Sequence, residues 1–129
     1  MKILLTNLPR EFETKEYTTP DYIKDFERYP PLGLLAIAAE VDPRHSVKVL
    51  DVSVDGLSVQ ETVEYVEAYN PDILGISVAS RLLYALNEIT HRVKDVLPRT
   101  RIVVGGAHVT YFPKETMELG AVDYALPGF

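Results

Sequence analysis

Short β-branched apolar runs alternate along this chain with longer segments whose apolar residues recur at helical spacing. The runs "KILLT" (2 to 6), "VKVLDV" (47 to 52), "DILGISVA" (72 to 79) and "RIVVG" (101 to 105) predict strands, and a weaker fifth, "VDYAL" (122 to 126), follows. The third and fourth are nearly continuously apolar, as expected of strands covered on both faces.

Helical patterns fill the intervals. "LGLLAIAAEV" (32 to 41) is apolar almost all round and predicts a largely buried helix. "SVQETVEYVEAYN" (58 to 70) opens with Ser58 and Glu61 in capping-box spacing, aligns Val59, Val63 and Val66 on one face, and stops before Pro71. "SRLLYALNEITHRVKDVLP" (80 to 98) carries Leu82, Leu86, Ile89, Val93 and Val96 on one stripe, with Asn87, Glu88, His91 and Lys94 turned outward. A short helix is predicted over "PKETMEL" (113 to 119), with Pro113 in its first turn and Gly120 as its stop.

This alternation predicts an α/β domain: a parallel sheet with right-handed crossovers and helices on both faces. Ligands of such sheets sit beyond the carboxyl ends of the strands, where strand order reverses. The loops that matter therefore follow residues 6, 79, 105 and 126. The first of them, residues 7 to 31, is far longer than the few residues such connections usually take. It carries Phe12, Tyr17, Tyr22, Phe26 and Tyr29 among many charges, and reads either as a lid or as a surface meander with a short helix near residues 21 to 27. The chain holds no internal repeat and no low-complexity segment.

Composition narrows the function classes. A length of 129 residues fits a single domain, here residues 1 to 129, and 47% hydrophobic with 25% charged residues is ordinary for a globular fold. A net charge of −6 with the basic residues scattered argues against nucleic acid. No apolar run approaches the roughly 20 residues of a membrane span, and the N-terminus reads as a strand instead of a signal peptide, so a cytoplasmic location is expected. Without a cysteine the chain offers no disulfide, thiolate nucleophile or iron–sulfur ligand of its own.

Small residues gather at the predicted strand ends. "GISVASR" brings Ser77, Ala79, Ser80 and Arg81; "VGGAH" brings Gly105, Gly106, Ala107 and His108; "PPLG" brings Gly33. Paired glycines let a ligand touch main chain, and they also serve as plain turn residues. Dinucleotide and Walker phosphate loops are absent, because "TNLPRE" follows the first strand, and a flavin phosphate loop finds only Thr6 there. Of the three histidines, only His108 falls on the presumed ligand edge. A lone histidine there is more often a hydrogen-bonded loop residue than a base or metal ligand. Asp51 and Asp55 are read as turn and capping residues.

In order and spacing, "YPPLGLLAIAAEV", "HSVKVLDVS", "NPDILGISV", "RIVVGGAHVT" and "AVDYALPG" resemble the N-terminal cobalamin-binding domain of cobalamin-dependent radical SAM enzymes. The resemblance covers nearly the whole chain. It implies a doubly wound five-stranded parallel sheet, flavodoxin-like (Rossmann-like), that holds cobalamin with its dimethylbenzimidazole tail displaced from cobalt. The tail would lie between the ends of the first, third and fourth strands. Ser77 would hydrogen-bond the tail base, and Gly105 with Gly106 would leave room for the nucleotide. Asn7, Gly33, Ala79, Ser80, Arg81, Ala107, His108 and Gly128 complete the cofactor-binding set it implies, with no catalytic residue on this chain. Methyl transfer or related radical chemistry would belong to a radical SAM domain in cis or trans, and S-adenosylmethionine with its 4Fe-4S cluster to that domain.

Two features depart from related cobalamin domains. The D-x-H-x-x-G segment that supplies a histidine to cobalt elsewhere is missing, with only Gly33 retained, so cobalt would lack an imidazole beneath it unless His108 swings inward. Arg81 or the long aromatic loop would then cover that face. The chain also ends at "LPGF" before any cluster motif, which fits a domain of a longer enzyme or a free-standing carrier or sensor. The same fold without cofactor, acting as an interaction or substrate-orienting module, is the alternative, and a flavin carrier is a third.

Overall fold

The computed structural model describes residues 1–10 and 31–128. Five parallel strands, β1 (Lys2–Thr6), β2 (Ser46–Leu50), β3 (Ile73–Ser77), β4 (Arg101–Gly105) and β5 (Tyr124–Leu126), form one sheet in the order β2-β1-β3-β4-β5. The register aligns Thr6 with Leu50 and Ile76, and Ser77 with Gly105, so the strand ends form a common rim. Helices α1 (Leu32–Glu40), α2 (Val52–Asp55), α3 (Val59–Tyr69), α4 (Leu83–Val96), α5 (Ala107–Tyr111) and α6 (Pro113–Leu119) fill the connections, with a 3₁₀ turn at Ser80–Leu82. This is the parallel α/β sheet that the pattern predicts and the doubly wound, flavodoxin-like fold that the resemblance implies. No described helix is long and apolar enough to cross a membrane.

Strand periodicity assigns the faces. Leu4, Leu74, Ile76, Ile102 and Val104 point to one side, where they pack with Val59, Val63 and Val66 of α3 and Leu86, Ile89 and Val93 of α4 into the buried core. Each such aliphatic side chain contributes roughly 1.5–3 kcal/mol by leaving water. α3 starts on the predicted capping box: the Ser58 hydroxyl accepts the Glu61 amide at 3.0 Å, and the Glu61 carboxylate accepts the Ser58 amide at 3.2 Å. Asn70 in the left-handed conformation ends it.

The opposite face is covered differently, and it corrects one expectation. α1 packs on β1 and β2, yet of its apolar residues only Leu34 is buried; Leu32 and Ile37 are 71% and 55% exposed. One helix lying on a sheet buries one stripe, however apolar its other sides are. Val96, expected in the buried stripe of α4, is also exposed, because it occupies the last helical turn beyond the sheet contact. Sequence patterning also overran the second strand: Asp51 leaves the sheet to cap α2, its carboxylate accepting the Val54 amide at 3.2 Å. The predicted helix near residues 21 to 27 and the aromatic residues of the long loop lie outside the described residues.

Asp123 fastens the weak fifth strand. Its Oδ2 accepts from Lys94 Nζ at 2.6 Å and from the Ile102 amide at 2.8 Å, and Lys94 also donates to the Thr100 carbonyl. Burial pushes this carboxyl upward, but the Lys94 and Ile102 hydrogen bonds outweigh it and hold the group below its ordinary value. A depressed folded-state pKa makes the contribution complete above the unfolded value near 3.8, and it fades as pH falls below that toward the lowered folded value. Asp123→Asn should therefore lower stability by roughly 1–3 kcal/mol at neutral pH. The deficit relative to wild type should shrink below about pH 4, a difference that urea unfolding across pH measures directly.

Candidate functional site

The half-covered face contains a cavity of about 530 Å³, within the ~300–1,000 Å³ of small-molecule sites. It runs the length of the central strands. Ile3, Leu5, Ile73, Gly75 and Val103 line its floor, Ile37 of α1 and Val41 just after it its wall, and Asn7, Ser77, Gly105, Gly106 and Gly33 its mouth at the strand-end rim. β1 and β3 flank the reversal of strand order, so the slot opens where open parallel sheets take ligands.

The floor is built by a missing side chain. A Cβ on Gly75 would stand 2.7 Å from Leu5 Cδ2, so the bare residue lets Leu5 lie flat across the neighbouring strand. Gly105 is open as well: a Cβ there meets nothing nearer than the Leu126 carbonyl at 3.7 Å. A Cβ on Gly33 meets nothing within 4 Å.

Gly106 has a different reason for being glycine than the one expected. Its φ of +102° is a conformation side chains rarely adopt, and a Cβ would press within 3.2 Å of the Val78 backbone and Ser77 Oγ. A side chain at this position would be directed at the protein's own Val78 main chain, while Gly106 also lines the slot. The Val78 amide donates to the Gly105 carbonyl at 2.9 Å and the His108 amide reaches the Val78 carbonyl at 3.4 Å, closing the two loops on each other.

The rim residues divide into two groups. Asn7, Gly33, Ser77, Gly105 and Gly106 converge on the slot; Ala79, Ser80, Arg81, Ala107, His108 and Gly128 do not line it. His108 lies in α5 and not in a loop, is 9% exposed, and its Nδ1 is hydrogen-bonded to Ser80 Oγ at 2.9 Å. Gly128 is tied to α5 through the Thr110 hydroxyl, which accepts its amide at 3.2 Å. Asn7 works as a clamp: its carbonyl oxygen accepts the Val52 amide at 2.9 Å, and its Nδ2 donates to Asp51 at 2.8 Å. Ser77 differs from these, since among the described residues its hydroxyl makes no side-chain hydrogen bond.

The hydrocarbon floor residues were not singled out from the sequence. The signal was the apolar outer face of the third and fourth strands, read simply as cover by helices. Among the described residues no group of His, Asp and Glu is placed to hold a metal ion.

The fold and site define an open parallel α/β domain with a largely apolar slot at its topological switch point. The chain belongs to the B12-binding domain family, whose model matches residues 23–128. It is 30% identical over 129 residues to an uncharacterized methyltransferase of Pyrococcus horikoshii, covering 99% of this chain and 27% of that protein. It is 30% identical over 117 residues to cytidylyl-2-hydroxyethylphosphonate methyltransferase of Streptomyces wedmorensis, covering 76% of this chain and 22% of the relative. It is also 36% identical over 88 residues to anaerobic magnesium-protoporphyrin IX monomethyl ester cyclase of Synechocystis sp., covering 66% and 18%. The chain thus spans about a quarter or less of the length of these curated relatives.

The two neighbouring glycines should respond unequally to the same substitution. Gly106→Ala meets both backbone strain and the Val78 contact and should cost roughly 1–3 kcal/mol, whereas Gly105→Ala should stay within about 1 kcal/mol of wild type. Thermal unfolding of the two variants checks this; equal losses would show that the Val78 contact is not what fixes Gly106.

Proposed function

We propose that this domain binds cobalamin with its nucleotide tail in the slot and the tail base detached from cobalt. The observation that carries the reading is the slot itself: it is apolar along its length, bare at Gly105 and Gly33, and served at its mouth by the open Ser77 hydroxyl. Those features fit a flat benzimidazole with one ring nitrogen to satisfy. In this reading Ser77 donates to that nitrogen, Leu5, Ile73 and Val103 exclude water from the ring, and Gly105 with Gly33 admits the sugar-phosphate arm. The uncapped first turn of α1, whose cap residue Pro31 supplies no side-chain hydrogen bond, opens at the same mouth. The positive end of the helix dipole favours negative charge there.

When bound, the corrinoid supplies a cobalt centre able to carry a methyl group or an electron. The chain's own residues anchor the tail and leave the reaction to the rest of a larger protein, for which we propose a cobalamin-dependent radical SAM enzyme acting in methyl transfer. Support comes from the names of two relatives as methyltransferases and from the quarter-length coverage. Residues 1 to 129 are then the cofactor-holding domain, S-adenosylmethionine and the iron–sulfur cluster belong to the remainder, and a cytoplasmic setting follows from such chemistry. In this reading His108, held in α5 by its hydrogen bond with Ser80, is part of the rim framework and does not serve cobalt.

Hydroxocobalamin added to the 129-residue domain should give the absorption spectrum of the tail-detached form and raise the thermal midpoint, since a ligand selective for the folded state stabilises it. Gly105→Val places an isopropyl group in the mouth without disturbing main chain and should weaken binding at least ~10-fold, about 1.4 kcal/mol, at near-unchanged midpoint of the free protein. An unaltered spectrum well above micromolar cobalamin, or full affinity in Gly105→Val, contradicts the reading.

A further inference from the structure

Resting on the assignment of the slot to the cofactor's tail, we propose that the slot also selects which tail base is accepted, favouring an apolar ring over an aminopurine. Polar and apolar groups are segregated along its length. Asn7 and Ser77 stand at the rim end, while everything below them, Ile3, Leu5, Ile37, Ile73 and Val103 included, is hydrocarbon.

The main chain bordering the slot offers little more. The Gly105 carbonyl accepts the Val78 amide, the Pro31 carbonyl accepts the Leu35 amide, and the Gly106 carbonyl accepts the Thr110 amide at 3.1 Å. The strand backbones are paired in the parallel ladders on either side of the floor. The first turn of α1, which has no side-chain cap, lies at the mouth with Gly33, at the same end as Ser77.

A ring with polar atoms on one edge is matched by such a site. Dimethylbenzimidazole presents one free nitrogen and otherwise carbon, so its nitrogen can face Ser77 and its methyl groups the floor. Adenine carries ring nitrogens and an exocyclic amine around its perimeter. Whichever edge meets Ser77, another polar edge is driven against Leu5, Ile73 or Val103, where no described residue lining the slot offers a polar side chain. Unpaired burial of that kind is what makes a site reject an otherwise similar ligand. Shape supports the same conclusion, because Leu5 lying over Gly75 fixes a flat hydrocarbon floor that cannot rotate a polar atom into place.

The test compares corrinoids that differ only in the base. Cobamides ending in p-cresol and in adenine are suited to it, since neither tail holds cobalt as tightly as dimethylbenzimidazole does, and their affinities report the slot directly. Equilibrium titration of the domain followed by absorption and by thermal shift should show the cresol form at least ~10-fold tighter than the adenine form, with cobinamide, which has no tail, weakest. Val103→Asn, which adds a polar group to the floor, should narrow the gap between the two bases. Equal affinity of the cresol and adenine forms, both well above cobinamide, overturns base selection while leaving cobalamin binding intact. Cobinamide binding as tightly as the tailed forms, or no corrinoid binding at all, overturns the tail assignment and this inference with it.

Discussion

A β-strand shows its side chains alternately to two faces, and in this sheet the two faces are covered unequally. Leu4, Leu74, Ile76, Ile102 and Val104 meet α3 and α4 and disappear into the core. Among the described residues, their neighbours Ile3, Leu5, Ile73 and Val103 face the side that α1 half covers, and they line the slot there. Fold stability and binding capacity therefore come from the same three strands at alternating positions. A one-residue register slip would exchange the two sets, so the core that fixes register also fixes the floor of the site.

The rim is held by contacts that the floor does not supply. Gly106 folds against Val78, the loops after β3 and β4 exchange backbone hydrogen bonds, and Ser80 meets His108 across them. Asn7 and Asp51 do the same for β1 and the turn into α2. These clamps keep Ser77 and Gly105 side by side at the mouth, in register. Their polar groups are occupied by one another, whereas the Ser77 hydroxyl, which lines the slot, makes no side-chain hydrogen bond among the described residues. Most of the polar residues near the site are thus scaffold.

The alternation of strands with crossover helices and the capping box at Ser58 could be read from the sequence, because each depends on local pattern; the order of the strands within the sheet is a tertiary property and comes from the structure. The burial of α1 could not, since a helix apolar on every side carries no mark of which stripe meets the sheet. α2 and α5 were missed for being four and five residues long, too short for periodicity; the Asp51 cap and the left-handed Gly56 were the available signs of α2. At the site, Gly33, Ser77 and Gly105 were found as strand-end small residues. The distinct duty of Gly106 follows from its backbone angle and the approach of Val78, both consequences of tertiary contact. The hydrocarbon floor went unnamed because an apolar strand face looks the same whether a helix or a ligand covers it.

The account turns on where the cofactor's tail lies. In diamagnetic hydroxocobalamin the aromatic protons of the tail base can be followed by NMR against methyl-labelled domain. Nuclear Overhauser contacts from those protons to the methyl groups of Leu5, Ile73 and Val103 are predicted, with none to Leu86 or Ile89 across the sheet. Contacts confined to other methyl groups at saturating cobalamin would place the tail elsewhere and contradict the assignment of the slot.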